Sequence, residues 1–195
     1  MSPQSKQPFM RTVQGAVAAS VAAAAVLASV ACSGATDPAA APAVVRDTLA
    51  SFQTDSLRYA LSPSPPGYET RVGVVFTNRA ARTAYFVNCG GATSISMEKL
   101  VGDQWQAVWQ PPIPACLSQP IAVAPGGSYR TELRVFGARP GSNVIPQFTT
   151  TDLSGVFRLV WHEVVFDYHD LPPWGEPLPA ASTVSNRFEL SAPAP

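Results

Sequence analysis

From residue 55 onward apolar side chains recur at every second position, in short runs cut by Pro, Gly, Asn and Asp. That period belongs to strands with one face buried and one face wet. Residues 155–166, GVFRLVWHEVVF, form the densest aromatic and β-branched run. Such side chains suit a pleated surface better than a helix. Phe157, Leu159 and Trp161 share one parity, and Val156, Arg158, Val160 and His162 the other. After Trp161 the alternation changes sense: Glu163 takes the inward place, while Val164 and Phe166 lie on the opposite parity. One extra residue reverses which face points inward, so a bulge or twist is predicted there.

The same pattern predicts partner strands on both sides of that run. Leu57, Tyr59 and Leu61 alternate before the Pro-rich stop at 62–67. Val72, Val74 and Phe76 alternate with Arg71, Gly73, Val75 and Thr77. Two further runs, 94–101 and 104–110, meet across Gly102-Asp103, a pair suited to a two-residue hairpin because Gly accepts positive φ. Trp105 and Trp109 share a parity and are therefore expected on one face. Residues 111–120 hold four prolines and suit neither helix nor interior strand. Residues 128–136 alternate most cleanly, with Tyr129, Thr131, Leu133 and Val135 inward and Arg130, Glu132 and Arg134 outward. Another Pro-rich loop spans 167–181. A closing run at 184–190 carries Val184, Phe188 and Leu190 on one parity.

Upstream the pattern differs. Residues 15–31 are small and mostly apolar, uncharged and without period, and follow a start that carries Lys6 and Arg11 and no acid. A basic start, an apolar middle and a small-residue exit describe a secretory signal peptide. A permanent anchor helix is the alternative, but the run is short and rich in Ala for a span. Residues 27–32, LASVAC, resemble a bacterial lipobox, with Ser29 standing where that motif usually has Leu. The resemblance implies lipid on Cys32, and two or more acyl chains anchor a protein stably. Ordinary cleavage after Ala31 is the alternative. In a cell with two membranes, Ser33 after the cysteine resembles the signal for the outer one. The Ala/Pro-rich stretch that follows has too few apolar residues to order itself. The expected organisation is thus a signal peptide over 1–31, a lipid-anchored tether over 32–52 and a folded body over 53–192.

Composition supports this division. The chain of 195 residues has 13 basic and 13 acidic side chains and 20 prolines. Loss of Lys6 and Arg11 with the leader leaves a slight acidic excess, so phosphate backbones are excluded as partners. Few charges and many prolines favour a secreted all-β domain. Cys89 and Cys116 form an even pair in an oxidising compartment, where a disulfide is the expected state. It would close a loop of roughly 28 residues and stabilise the fold by about 3 kcal/mol. The predicted architecture is all-β, an immunoglobulin-like antiparallel β-sandwich of roughly seven to nine strands. A closed barrel is the alternative.

Four local motifs carry a family resemblance. VVFTN at 74–78, GDQW at 102–105, VAPG at 123–126 and GVFRL at 155–159 resemble, in order, landmarks of the intracellular proteinase inhibitor family of bacilli. The likeness spans about residues 57–165 and implies an immunoglobulin-like fold. Protease inhibition is the activity it would imply. This chain departs from the family in its export leader, its cysteine pair and Phe157, which lacks the hydroxyl of the tyrosine that stands there.

Catalytic chemistry finds little footing. The two histidines are His162 and His169. No Gly-x-Ser-x-Gly is present, and neither histidine has a serine nearby in a strained turn. The cluster of His162 and Glu163 with Asp167, Tyr168, His169 and Asp170 is the one concentration of ligand-type side chains, so His162, Glu163, His169 and Asp170 are weak metal candidates. It lacks His-Glu-x-x-His spacing, since position 166 is Phe. Trp174 lies in LPPWGEP at 171–177, a loop where an aromatic gains little from burial, and is a candidate binding anchor together with Trp109. The reading is a non-catalytic, cofactor-free envelope module. Its lipid would enter the membrane and its body would bind a protein or glycan. An extracytoplasmic protease inhibitor or assembly factor of the same fold is the alternative.

Overall fold

Residues 51–113 and 118–193 are described by a computed structural model. The signal peptide, Cys32, nearly all of the tether and Cys116 therefore lie outside the described residues. In chain order the strands are β1 (Phe52–Thr54), β2 (Arg58–Ala60), β3 (Ser62–Ser64), β4 (Gly67–Thr77), β5 (Ala84–Phe86), β6 (Asn88–Cys89), β7 (Ala92–Thr93) and β8 (Ile95–Val101). They continue with β9 (Gln104–Trp109), β10 (Ile121–Val123), β11 (Ser128–Ala138), β12 (Gly155–Trp161), β13 (Val164–Phe166), β14 (Glu176–Pro177) and β15 (Phe188–Ser191). A 3-10 turn at Ala180–Ser182 is the one helical segment among the described residues.

One layer has the order β1-β4-β11, with β3 folded onto β4, and the other has the order β2-β15-β12-β8-β9. A further sheet has the order β10-β5-β13-β14, and β6 and β7 form a two-stranded sheet of their own. Strand pairs are antiparallel except β2 beside β15, which is parallel. The protein is an all-β antiparallel sandwich, as the alternation predicts. It is not a closed barrel, for among the described residues β9 and β11 each have a partner strand on one side alone.

Burial follows the sequence parity closely. Val72, Val74 and Phe76 of β4 meet Phe157, Leu159 and Trp161 of β12 in one core, with Ile95 and Met97 of β8 and Phe188 and Leu190 of β15. The predicted bulge is present: β12 stops at Trp161 and β13 resumes at Val164, after which Val164, Val165 and Phe166 are all buried. Across the interruption His162 N donates to Ser94 O at 3.0 Å and Val87 N donates to Glu163 O at 3.0 Å. Gly102 holds φ at +62° in the β8–β9 turn, as the hairpin requires.

Four expectations need correction. Phe52, assigned to the tether, is 1% exposed and its ring stacks on Trp161 at 3.8 Å and 11°. The body thus begins before residue 53. The Pro-rich stop at 62–67 is instead a small hairpin, with Ser62 opposite Glu69 and Ser64 opposite Gly67. β11 runs on to Ala138, opposite Gly67, because β4 supplies a partner for each added residue. Trp105 and Trp109 do not share a face. Met97 pairs with Trp109 but Glu98 pairs with Ala107, so Val108 is an extra residue in β9 and the parity flips between the two indoles.

Buried polar groups tie the layers. Asn186 Oδ1 accepts from Thr54 N at 2.7 Å, and Asn186 Nδ2 donates to Thr54 Oγ1 at 2.8 Å and to Arg187 O at 2.9 Å. Lys99, 6% exposed, brings its Nζ within 2.8 Å of Asp152 O and 2.5 Å of Asp152 Oδ2. A buried ammonium needs such partners, since leaving it bare is costly.

Candidate functional site

The 167–176 loop, singled out for Trp174 and the ligand-type cluster, is a braced protrusion. Arg82 Nη1 donates to Asp167 Oδ2 at 2.9 Å and to Glu176 Oε2 at 2.7 Å, spanning both stems of the loop. The guanidinium also lies 4.2 Å from the Phe166 ring centroid. Its charge holds the Glu176 carboxyl below the usual carboxylate range, chiefly through the direct hydrogen bond. His169 N donates to Trp174 O at 2.9 Å and closes the tip. Trp174 is half-buried, while Leu171 is 74% exposed. The apolar feature presented to solvent here is therefore Leu171 more than the tryptophan.

The weak metal candidates are not gathered. His162 Nε2 lies 2.9 Å from Ser96 Oγ. Glu163 contributes its backbone carbonyl to Val87. His169 and Asp170 sit on the exposed loop. Among the described residues no group of three or more His, Cys, Asp or Glu side chains is placed to hold a metal ion. Adjacent residues of an extended chain point to opposite faces, so His162 and Glu163 are not expected to converge despite their sequence proximity.

Trp109 is corrected as a surface anchor. It is 3% exposed and its Nε1 donates to Phe136 O at 2.7 Å, so it joins the edges of the two layers. Its flank nevertheless reaches a groove of about 440 Å³ walled by Pro111, Pro112, Ile145, Pro146 and Thr149. Ile145, 76% exposed, stands at its lip, and Ile113 and Val144, also exposed, adjoin the lining residues Pro112 and Ile145 in sequence. Clustered exposed apolar side chains, unlike scattered ones, mark contact sites. Sequence reading passed over Ile145 because 139–154 shows no period; its exposure was not legible locally.

Trp105 lies on the outer face of the second layer, covered by Arg158 at 4.2 Å and Arg187 at 5.6 Å from the ring centroid. Arg158 in turn donates to Glu98 Oε2 at 2.7 Å through Nε. Arg158 thus bridges the Trp105 ring and the Glu98 carboxylate.

Cys89 ends β6 and is buried. Residues just beyond Cys116 lie against it: Ser118 N donates to Asn88 O at 3.0 Å, Gly90 N to Ser118 Oγ at 2.8 Å, and Asn88 Nδ2 to Gln119 O at 2.9 Å. No helix among the described residues is long and apolar enough to cross a membrane. No protein-family model matches the chain, and no curated protein matches it.

Proposed function

We propose that the chain is a non-catalytic module, held on the cell envelope through lipid on Cys32, that binds an extended segment of a protein partner. The observation that carries this reading is the groove walled by Pro111, Pro112 and Pro146, with Ile145 exposed at its lip. Apolar walls with few polar groups suit side chains of a polypeptide. A glycan would need an open aromatic face, and Trp109 is too deeply buried to offer one. A Cys89–Cys116 disulfide belongs to the same proposal. It is supported by the burial of Cys89 and by the contacts that bring residues 118 and 119 to residues 88–90.

A peptide-array binding assay with the full chain tests the groove. Saturable binding of extended apolar peptides should be lost on Ile145→Asp without a change in melting temperature. Peptides that bind Ile145→Asp as well as the parent would overturn it. Metabolic labelling with a fatty acid tests the anchor, and Cys32→Ala should abolish the label.

A second reading, protease inhibition, is favoured by the loop at 167–176, where Arg82 braces both stems and Leu171 protrudes. Rigid exposed loops are pre-organised for docking. Inhibition of an apolar-specific protease that Leu171→Asp removes would support it over the groove.

A further inference from the structure

We propose that the free edge of β11 pairs with β11 of a second copy of this chain, in one antiparallel register set by its side chains. Asp55 N donates to Gly73 O and Thr77 N donates to Ser51 O, both at 2.8 Å, so Gly73 and Thr77 turn their backbone groups toward β1. Val72, Val74 and Phe76 then turn theirs toward β11, where Leu133, Thr131 and Tyr129 lie opposite. Arg130, Glu132 and Arg134 must present their amides and carbonyls away from the sheet. Phe136, on the same parity, does so visibly, since its carbonyl accepts from Trp109. Among the described residues β11 pairs with β4 alone, and beyond it only Ala138 bridges to Gln147.

An exposed edge of this length is ordinarily blunted by charge. Here the charges are self-complementary. With a two-fold axis at Thr131, Arg130 faces Glu132 of the second copy and Glu132 faces its Arg130. On the inner face Tyr129 meets Leu133, Leu133 meets Tyr129, and Thr131 meets itself. Opposite charges, aromatic–aliphatic pairs and Thr–Thr pairs are all favourable across strands. Moving the axis to Glu132 sets Glu132 against Glu132 and Arg130 against Arg134, which is repulsive on both counts. Glu132 already holds Arg71, and Arg134 holds Glu69. Arg130 has no ion-pair partner among the described residues, so it is the cation left for the second copy. Tyr129, Thr131 and Leu133 are each only half-buried, which leaves apolar surface for the new contact to cover. The pairing is isologous, as a closed dimer requires.

Sedimentation of the full chain in mild detergent, with charge-swapped variants, decides the matter. The parent should be dimeric. Glu132→Arg and Arg130→Glu should each raise the dissociation constant roughly tenfold or more, since like charges then oppose across the axis. The double variant R130E/E132R should restore the parental value. Thr131→Cys gives a second readout. On the axis, in a non-hydrogen-bonded pair, its Cα lies about 4.5 Å from its mate, within disulfide reach. It should yield a cross-linked dimer on non-reducing gels, and Leu133→Cys should not. A parent that stays monomeric at every accessible concentration overturns the proposal. So does a dimer indifferent to the single charge changes, one not restored by the double variant, or cross-linking at 133 in place of 131.

Discussion

Phe52 offers the sharpest test of how the first strand holds the sandwich together. It is 1% exposed and lies between layers, stacked on Trp161 at 3.8 Å, tilted on Phe76 at 4.7 Å and edge-on to Phe86 at 5.9 Å. Its neighbours belong to β4, β5 and β12, strands with their own ladders, so the hole left by Phe52→Ala cannot close by collapse. Phe→Ala changes in such cores cost about 3–5 kcal/mol, transfer and cavity terms together. Total stability is typically about 5–15 kcal/mol. At about 3 °C per kcal/mol for a body of this size, the melting temperature should fall by about 10–15 °C. Phe52→Leu, which refills most of the volume, should recover all but about 1.5 kcal/mol. Thermal melts followed by circular dichroism, with urea titrations for the free energy, measure both. A loss below about 1 kcal/mol for Phe52→Ala would refute the reasoning. It would mean that the strand before Asp55 is an appendage and the body begins where the alternation does.

Asn186→Ala strips three hydrogen bonds and leaves Thr54 N buried without its acceptor, and should cost about 2–4 kcal/mol in urea titrations; a near-neutral result would show that water replaces the amide. Gly175, at φ +155°, would place a Cβ 2.2 Å from Phe166 O. Gly175→Ala should therefore loosen the 167–176 loop, seen as faster amide exchange at His169, while the core melts as before. Contacts with Arg134, Lys99 and Arg82, largest through direct hydrogen bonds, hold Glu69, Asp152 and Glu176 below their ordinary values of 4.5, 3.8 and 4.5. Their folded forms release protons more readily than the unfolded chain, so the stability they add is present above those ordinary values and is lost as pH falls through the lowered ones. Melting temperature should decline on acidification below about pH 4.5, and Asp152→Asn should shrink that decline; an unchanged slope would remove Lys99 from the account.

Much of this fold is legible one residue at a time. Inward Val72, Val74 and Phe76, inward Phe157, Leu159 and Trp161, the turn at Gly102 and the reversal after Trp161 all follow from a period of two. That period is a property of the extended backbone and needs no partner to be read. Trp109 and Trp105 show where it stops. One extra residue at Val108, placed by the register against Met97 and Glu98, sends the two indoles to opposite faces. The candidate site was less legible still. Ile145 gains meaning only beside Pro111 and Pro112, and Arg82 only beside Asp167 and Glu176, 85 and 94 positions away.

Local pattern sufficed for the class of structure and for the inward sides of the long strands β4 and β12, because sterics and hydrophobic alternation act between near neighbours. Long-range packing was needed to bring Phe52 into the core, to set Asn186 against Thr54 across 132 positions, and to leave β11 with β4 as its one partner strand among the described residues. Each of those depends on which strands lie side by side, and sheet order is settled by the joint packing of distant segments.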